Sequence, residues 1–175
     1  MTHLIDCVFS LRNLEELRLE SNHLGGTIPT EIERLKKLRA LRLDMNELTG
    51  TIPTVIGKLP LNELSFRGNR LSGNIPSEIG LISNLYTFFC HENLITGTIP
   101  FEMFNVSKLS LLLVNANDIS GSIPNEIDNL DILQMCKYLY LFGRLYAKVC
   151  IKNSPHRIIS VVFFVYSQFM PITIN

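Results

Sequence analysis

The sequence predicts an α/β repeat fold: a curved solenoid with a short parallel β-sheet on its concave face and irregular or 3-10 structure on its convex side. Three recurrences at one fixed interval predict it, because such a period is the signature of stacked supersecondary units. Ile-Pro recurs with its prolines 24, 23, 24 and 24 residues apart, an asparagine lies seven residues before each proline, and a glycine follows each asparagine by four. The three series are Asn22, Asn46, Asn69, Asn93, Asn117; Gly26, Gly50, Gly73, Gly97, Gly121; and Pro29, Pro53, Pro76, Pro100, Pro124.

Apolar residues keep the same period. Counted from the asparagine, they occupy positions −8, −5, −3, +2, +6, +10 and +13, as in Leu38, Leu41 and Leu43, and all 35 such positions are apolar. With 46% apolar residues overall, chance placement would fill roughly 16 of them. These positions therefore predict the core of the solenoid.

Each column has a physical role. Positions −5 to −3 alternate apolar and polar, which predicts a short strand with one buried face, and five such strands stack in parallel. The asparagine side chains form a structural ladder: each turns inward, where an amide is tolerated only if it hydrogen-bonds the backbone of neighbouring turns. Glycine permits unusual backbone angles after the turn, and proline fixes φ where no ladder N–H is needed.

The pattern L-x-x-L-x-L-x-x-N-x-L-x-G-x-I-P resembles the plant-specific leucine-rich repeat over about residues 11 to 130. Ectodomains of plant leucine-rich repeat receptor-like kinases and receptor-like proteins are built from this repeat, as are polygalacturonase-inhibiting proteins. The resemblance implies a protein-interaction module of the cell surface or plasma membrane.

Three segments are expected along the chain. Residues 1–10 are a remnant of a truncated preceding repeat, since Leu4 and Val8 fall on core columns. Residues 11–130 contain the five repeats. Residues 131–175 contain a degenerate sixth repeat, in which Leu139-Tyr140-Leu141 imitates the strand while Arg144 stands at the asparagine position, followed by a divergent apolar tail.

The apolar run at 158–170 has 13 residues and ends at Pro171, whereas a membrane helix needs about 20. We expect no membrane-spanning helix here and recognise no signal peptide, so membrane association would come only through a missing or degenerate segment of a parent protein. The tail is interpreted as a buried strand or helix covering the last repeat, or as foreign sequence joined at a faulty gene-model boundary.

Little in the sequence favours catalysis. His3, His23, His91 and His156 lack metal-ligand spacing, and no catalytic or phosphate-binding motif is present. Cys90 and His91 are adjacent on a predicted strand and should point to opposite faces, with Cys90 in the core. We expect no enzyme activity, no cofactor and no metal. Equal numbers of basic and acidic residues, 16 each, also argue against a nucleic-acid partner.

The concave face carries the candidate partner-binding residues, which are Arg18, Glu20, Arg42, Asp44, Arg67, Phe89, His91 and Leu113. It is charged at one end and apolar at the other, where Phe89, Leu111 and Leu113 are expected to be exposed; either a ligand or the tail could cover them. Arg18 and Arg42 are flanked by Glu16, Glu20, Asp44 and Glu63. They could form a self-neutralised network or offer forked hydrogen bonds to an acidic partner.

The leading hypothesis is a non-enzymatic recognition module that resembles part of a plant receptor-like kinase ectodomain and binds a peptide or protein ligand or a co-receptor in signalling. One alternative is a secreted polygalacturonase-inhibitor-like binding protein. Another is a truncated gene product without independent function. Asn105, in the sequon Asn105-Val106-Ser107, is a glycosylation candidate on the convex side.

Overall fold

The computed structural model describes residues 8–121 and, beyond them, four short strands at 139–141, 144–146, 148–149 and 160–161. Residues 8–121 form the predicted solenoid of parallel strands, which confirms the fold class. The concave strands pair in parallel in the order β1-β3-β5-β7-β9. They are β1 Glu16–Arg18, β3 Ala40–Arg42, β5 Glu63–Ser65, β7 Thr87–Phe89 and β9 Leu111–Leu113.

Each concave strand covers positions −6 to −4, one residue earlier than predicted. The register places Leu41 opposite Leu64 and Phe88 opposite Leu112, and these central residues are buried. The −3 residue still donates its N–H to the next repeat, as Leu43 does to the Ser65 carbonyl at 2.9 Å. The chain then turns, which ends the strand, while backbone bonds to the next repeat continue at Met45 and Asn46.

The turn has a left-handed residue directly before each asparagine, a feature that the sequence analysis missed. These residues are Ser21, Met45, Gly68, Glu92 and Ala116, with φ of 56°, 53°, 64°, 60° and 51°. Only one of the five is glycine, so the residue types at this position did not predict a positive φ. The strain of about 1 to 2 kcal/mol per L-residue is offset by a backbone bond to the next repeat, such as Met45 N–H to Arg67 O at 2.7 Å.

The asparagine ladder satisfies the backbone inside these turns. Asn69 Oδ1 accepts the Leu48 N–H at 3.0 Å, while Asn69 Nδ2 donates to the carbonyls of Leu43 at 2.9 Å and Phe66 at 3.0 Å. Asn46, Asn93 and Asn117 repeat this arrangement. Each of these four amides therefore bonds to two successive repeats, whereas Asn22 is exposed and donates within its own turn, to Leu19 and Glu20.

The convex side combines short 3-10 helices with small parallel ladders. The helices are η1 Thr30–Arg34, η2 Thr54–Lys58, η3 Ser77–Leu81 and η4 Phe101–Asn105, and each follows an extended proline of the Ile-Pro series. The ladders were not predicted; β2 Gly25–Thr27 pairs with β4 Glu47–Thr49, and β6 Ser72–Asn74 pairs with β8 Leu94–Thr96. The core lies between this side and the concave sheet, where Ile56, Leu64 and Ile79 have no exposed surface.

The strand at 139–141 pairs antiparallel with the strand at 144–146, which contains Arg144. Only two residues separate these strands, and so short a connection can join antiparallel strands but not parallel ones. The degenerate sixth repeat stays a prediction. The remnant repeat before residue 8 and most of the apolar run at 158–170 lie outside the described residues.

We predict that Asn69→Ala lowers the free energy of unfolding by about 1 to 3 kcal/mol, since it leaves one buried N–H and two buried carbonyls without their side-chain partner. Asn74→Ala is the matched control, because Asn74 is exposed and accepts one long bond from Thr96. Urea unfolding of both variants measures the difference. Equal midpoints would contradict the structural role of the asparagine ladder.

We also predict that Gly73→Ala is more destabilising than Gly25→Ala. Gly73 has φ of +73°, and an added Cβ would lie 2.8 Å from Thr51 Cγ2. At Gly25 the nearest such atom, the Glu47 carbonyl oxygen, would be 4.0 Å away. Thermal unfolding should show a loss of at least about 1 kcal/mol for Gly73→Ala; a loss as small as that of Gly25→Ala would rule out the strained turn.

Candidate functional site

The candidate site is the outward side of the concave sheet. Residues at −6 and −4 point outward because position −5 between them points into the core, and the residue at −2 follows each strand. We call this set the concave surface; it comprises Glu16, Arg18, Glu20, Ala40, Arg42, Asp44, Glu63, Ser65, Arg67, Thr87, Phe89, His91, Leu111, Leu113 and Asn115.

Carboxylates already hold the three arginines of the concave surface. Arg18 Nε lies 3.0 Å from Glu16, and Arg67 Nε lies 3.2 Å from Glu92. Glu92, at position −1, was not predicted as a partner of Arg67, because no charged contact was expected from that position of the repeat. Each arginine of the concave surface is therefore paired with at least one carboxylate.

Arg42 is the most constrained of the three. It is hydrogen-bonded to Glu63, and its Nη1 lies 3.8 Å from Glu20. The hydrogen bond with Glu63 is the main reason why the pKa of Arg42 is raised, and the charges of Glu63, Glu20 and Asp44 add to it. One arginine is therefore shared between two carboxylates.

Asp44 adds a negative charge that no arginine pairs with directly in the described part of the chain. It accepts hydrogen bonds from Ser65 Oγ and, at 3.1 Å, from the Arg67 N–H, and it has no ion pair among the residues the structure describes. The concave surface with Glu92 holds five carboxylates and three arginines. Its charged end is thus net acidic.

The apolar end is formed by Phe89, Leu111 and Leu113. In the register of β7 and β9, Phe89 lies opposite Leu113, and Leu111 lies opposite Thr87. All three apolar side chains are half-buried rather than exposed as the sequence predicted. Together they form a continuous apolar patch beside the charged end.

His91 is buried, with 8% of its surface exposed, which corrects its assignment as an open contact residue. Its ring meets Phe89 edge to face at a centroid distance of 5.8 Å, and its Nδ1 is buried without a hydrogen-bond partner. Burial is the main reason why its pKa is lowered. His91 therefore supports the Phe89 ring as a neutral side chain.

Cys90 lies in the core as predicted, and burial raises the pKa of its thiol. A buried, protonated thiol is a poor nucleophile. The described residues contain no cluster of three or more His, Cys, Asp or Glu side chains that could hold a metal. Asn105 and Ser107 of the sequon are exposed at the end of η4, while His3 and His156 lie outside the described residues.

A shallow cavity of about 520 Å³ lies beside the concave surface and was not predicted. Its floor continues the columns of β5 and β7, and Lys108 Nζ donates to Asn84 Oδ1 at 2.6 Å at its rim. It is lined by Asn62, Glu63, Asn84, Tyr86, Thr87 and Lys108. The residues that line this cavity do not belong to the apolar period of the repeat, so the sequence pattern did not predict it.

Comparisons with known proteins identify the type of repeat. The family model Leucine Rich Repeat matches residues 13–35, 37–59 and 60–82. No curated protein matches the sequence. Within the described part of the chain, no helix has the length and apolarity required to cross a membrane.

The structure is similar to a chain of the BIR3–SERK2 complex from Arabidopsis thaliana, with 36% identity and a TM-score of 0.61, over 63% of this chain and 60% of that one. It is also similar to the Arabidopsis HAESA receptor kinase ectodomain in complex with an IDA peptide hormone: 33% identity, TM-score 0.71, 77% of this chain and 23% of that one. A plant ice-binding protein is similar too, with 33% identity, TM-score 0.62, 69% of this chain and 39% of that one. The chain thus spans between about a fifth and three fifths of the length of these structures.

We predict that His91 makes the protein lose stability as the pH falls. His91→Asn, which introduces the residue found at this position in the next repeat, should remove that loss. Burial lowers the pKa of His91, with Arg67 also lowering it while Glu92 and Asp44 oppose this. The unfolded chain takes up a proton at His91 near pH 6.5, whereas the folded chain takes it up only at lower pH. The stability that the neutral His91 permits is therefore fully present above about pH 6.5 and is lost as the pH falls below it.

The stability of the wild type relative to His91→Asn should therefore decrease between about pH 7.5 and pH 5. Urea unfolding at steps across this range measures it, and His23→Asn is the comparison for an exposed histidine whose Nδ1 lies 3.2 Å from Glu47. A difference that stays constant with pH would show that His91 does not titrate differently on folding.

Proposed function

We propose that this chain, a leucine-rich repeat protein similar to the ectodomains of plant receptor kinases, is a non-enzymatic recognition module that binds a peptide or a protein on its concave surface. The ectodomain-like fold is typically non-enzymatic. Two of the structures with this fold are the BIR3–SERK2 complex and the HAESA receptor kinase ectodomain in complex with a peptide hormone. We accordingly place this chain at the cell surface, as a part of a ligand-perceiving assembly.

The apolar patch of Phe89, Leu111 and Leu113 is the observation that carries this proposal. A partner gains more from covering half-buried apolar side chains than from competing for arginines that carboxylates already hold. His91 fixes the Phe89 ring from the side. The anchor is therefore in position before a partner arrives, which lowers the entropy lost on binding.

The charged end determines which partner fits. With Asp44 unpaired and Arg42 shared between Glu20 and Glu63, the complementary charge on a partner is positive. Asp44 on the β3 side and Phe89 on β7 are separated by one intervening strand, or about 10 Å, so an extended peptide would span them with about three residues. The five-stranded sheet is roughly 20 Å wide, enough for a short peptide or the edge of a protein.

We predict that Phe89→Ala weakens binding of peptides by at least about fivefold, the equivalent of about 1 kcal/mol. The probes are linear peptides selected from a random display library on the full-length chain, and affinity is measured by fluorescence anisotropy. We expect selected sequences to combine an aromatic or aliphatic residue with a lysine or arginine.

Phe101→Ala is the matched control, because Phe101 is an exposed phenylalanine in η4 on the convex side. Asp44→Asn should selectively weaken the peptides that carry a basic residue. Peptides that bind Phe89→Ala as tightly as wild type, or that lose affinity only for Phe101→Ala, would remove the concave surface as the site.

A further inference from the structure

We propose that a second site, separate from the concave surface, binds a linear carboxylated polysaccharide through five cations. We call it the basic flank; it consists of Arg12, Arg34, Lys36, Lys37 and Arg39. It comprises the last residue of η1, the connection from η1 to β3, and Arg12 on the corresponding connection that precedes β1.

Buried leucines force these cations outward. Leu35 and Leu38 have no exposed surface, and the residues on either side of each, from Arg34 to Arg39, are exposed. Backbone bonds from Lys36 N–H to Arg34 O and from Leu38 N–H to Leu35 O, both 3.0 Å, tighten the segment. Four exposed cations thus lie within six residues of the chain.

These cations lack the partners that the other basic residues have. Residues 8–121 contain eleven lysines and arginines, of which Arg18, Arg42, Lys58, Arg67 and Lys108 contact a carboxylate or amide side chain. Within that range, the basic residues without an ion pair or side-chain hydrogen bond are the five of the basic flank and Arg70. Since residues 8–121 hold twelve carboxylates, this segregation does not come from an excess of positive charge.

Two nearby carboxylates do not neutralise the basic flank. Glu33 is held by Lys58 at 2.9 Å, and that hydrogen bond is the main cause of its lowered pKa, to which the charges of Lys36 and Arg34 add. Glu15 is exposed and accepts the Arg39 N–H through its backbone carbonyl at 2.6 Å, but its carboxylate makes no ion pair in the described part of the chain. An external polyanion would therefore meet a locally positive surface.

The composition of the basic flank favours a polysaccharide over the other polyanions. It has no aromatic side chain on which a nucleobase could stack, and its two central leucines are buried, so only Leu11, beside Arg12, could insert into a bilayer. Carboxylates repeated along a linear uronate chain can bridge to a row of exposed cations. The choice of an extracellular polysaccharide rests on the proposed function at the cell surface.

The test uses the full-length chain and soluble polygalacturonate, with affinity measured by isothermal titration at low and raised salt. We expect saturable binding that weakens as the Debye length falls below about 10 Å. The double variant Lys36→Gln/Lys37→Gln should bind on the order of tenfold more weakly. Arg70→Gln/Lys108→Gln is the matched control, because it removes the same net charge from elsewhere on the surface and should bind as the wild type does.

Three outcomes would overturn the proposal: no binding of polygalacturonate at low salt, equal weakening in the two double variants, or equal binding of an uncharged glucan. Equally tight binding of phosphatidylserine vesicles or poly(U) would overturn the assignment to a polysaccharide. Peptide binding and its loss in Phe89→Ala are measured without polygalacturonate, so failure of this proposal is distinguishable from failure of the concave-surface proposal.

Discussion

The hydrogen bonds of the buried asparagine amides are the constraint on which the rest of the structure depends. Each turn after a concave strand brings backbone N–H and carbonyl groups into an apolar interior, where an unpaired polar group is costly. Asn46, Asn69 and Asn93 satisfy these groups in two successive repeats at once. Because the bond joins neighbours, it also fixes the rise of one repeat on the next and keeps the apolar columns in register.

Fixing the backbone in this way leaves the surface columns free to vary. The same positions that are arginines in β1 and β3 become Phe89 and Leu113 in β7 and β9, with no change in strand pairing. The solenoid therefore carries three chemically different regions on one frame: an acidic, ion-paired end and an apolar patch on the concave surface, and the basic flank outside it. Function in such a fold depends on these regions, since the frame itself is common to proteins of different activity.

The structural neighbours illustrate this separation. A receptor kinase ectodomain bound to a peptide hormone, a chain of the BIR3–SERK2 complex and a plant ice-binding protein share this fold with the present chain at 33 to 36% identity. The arginines of the concave surface are paired within the molecule, so the half-buried apolar patch and the unpaired Asp44 carry the recognition that we propose.

The sequence by itself determined the period, the inward columns, the asparagine ladder and the parallel sheet. Stacked repeats make the same local interactions at every step, and a pattern that recurs at a fixed interval can be recognised from the sequence alone. The sequence also identified the concave columns. Only the tertiary structure decided which of their side chains are available: His91 is buried against Phe89, Arg42 is shared by Glu20 and Glu63, and Glu92 joins Arg67. The ion pairs join residues about one repeat apart, and the contact of His91 with Phe89 joins the end of β7 to the turn that follows it. All of them depend on side-chain rotamers and on the left-handed turns, in which residues such as Met45 and Glu92 have a positive φ that their residue types do not predict. Side-chain pairing and burial depend on which residues pack together in the folded chain, so they cannot be predicted from one position of the repeat.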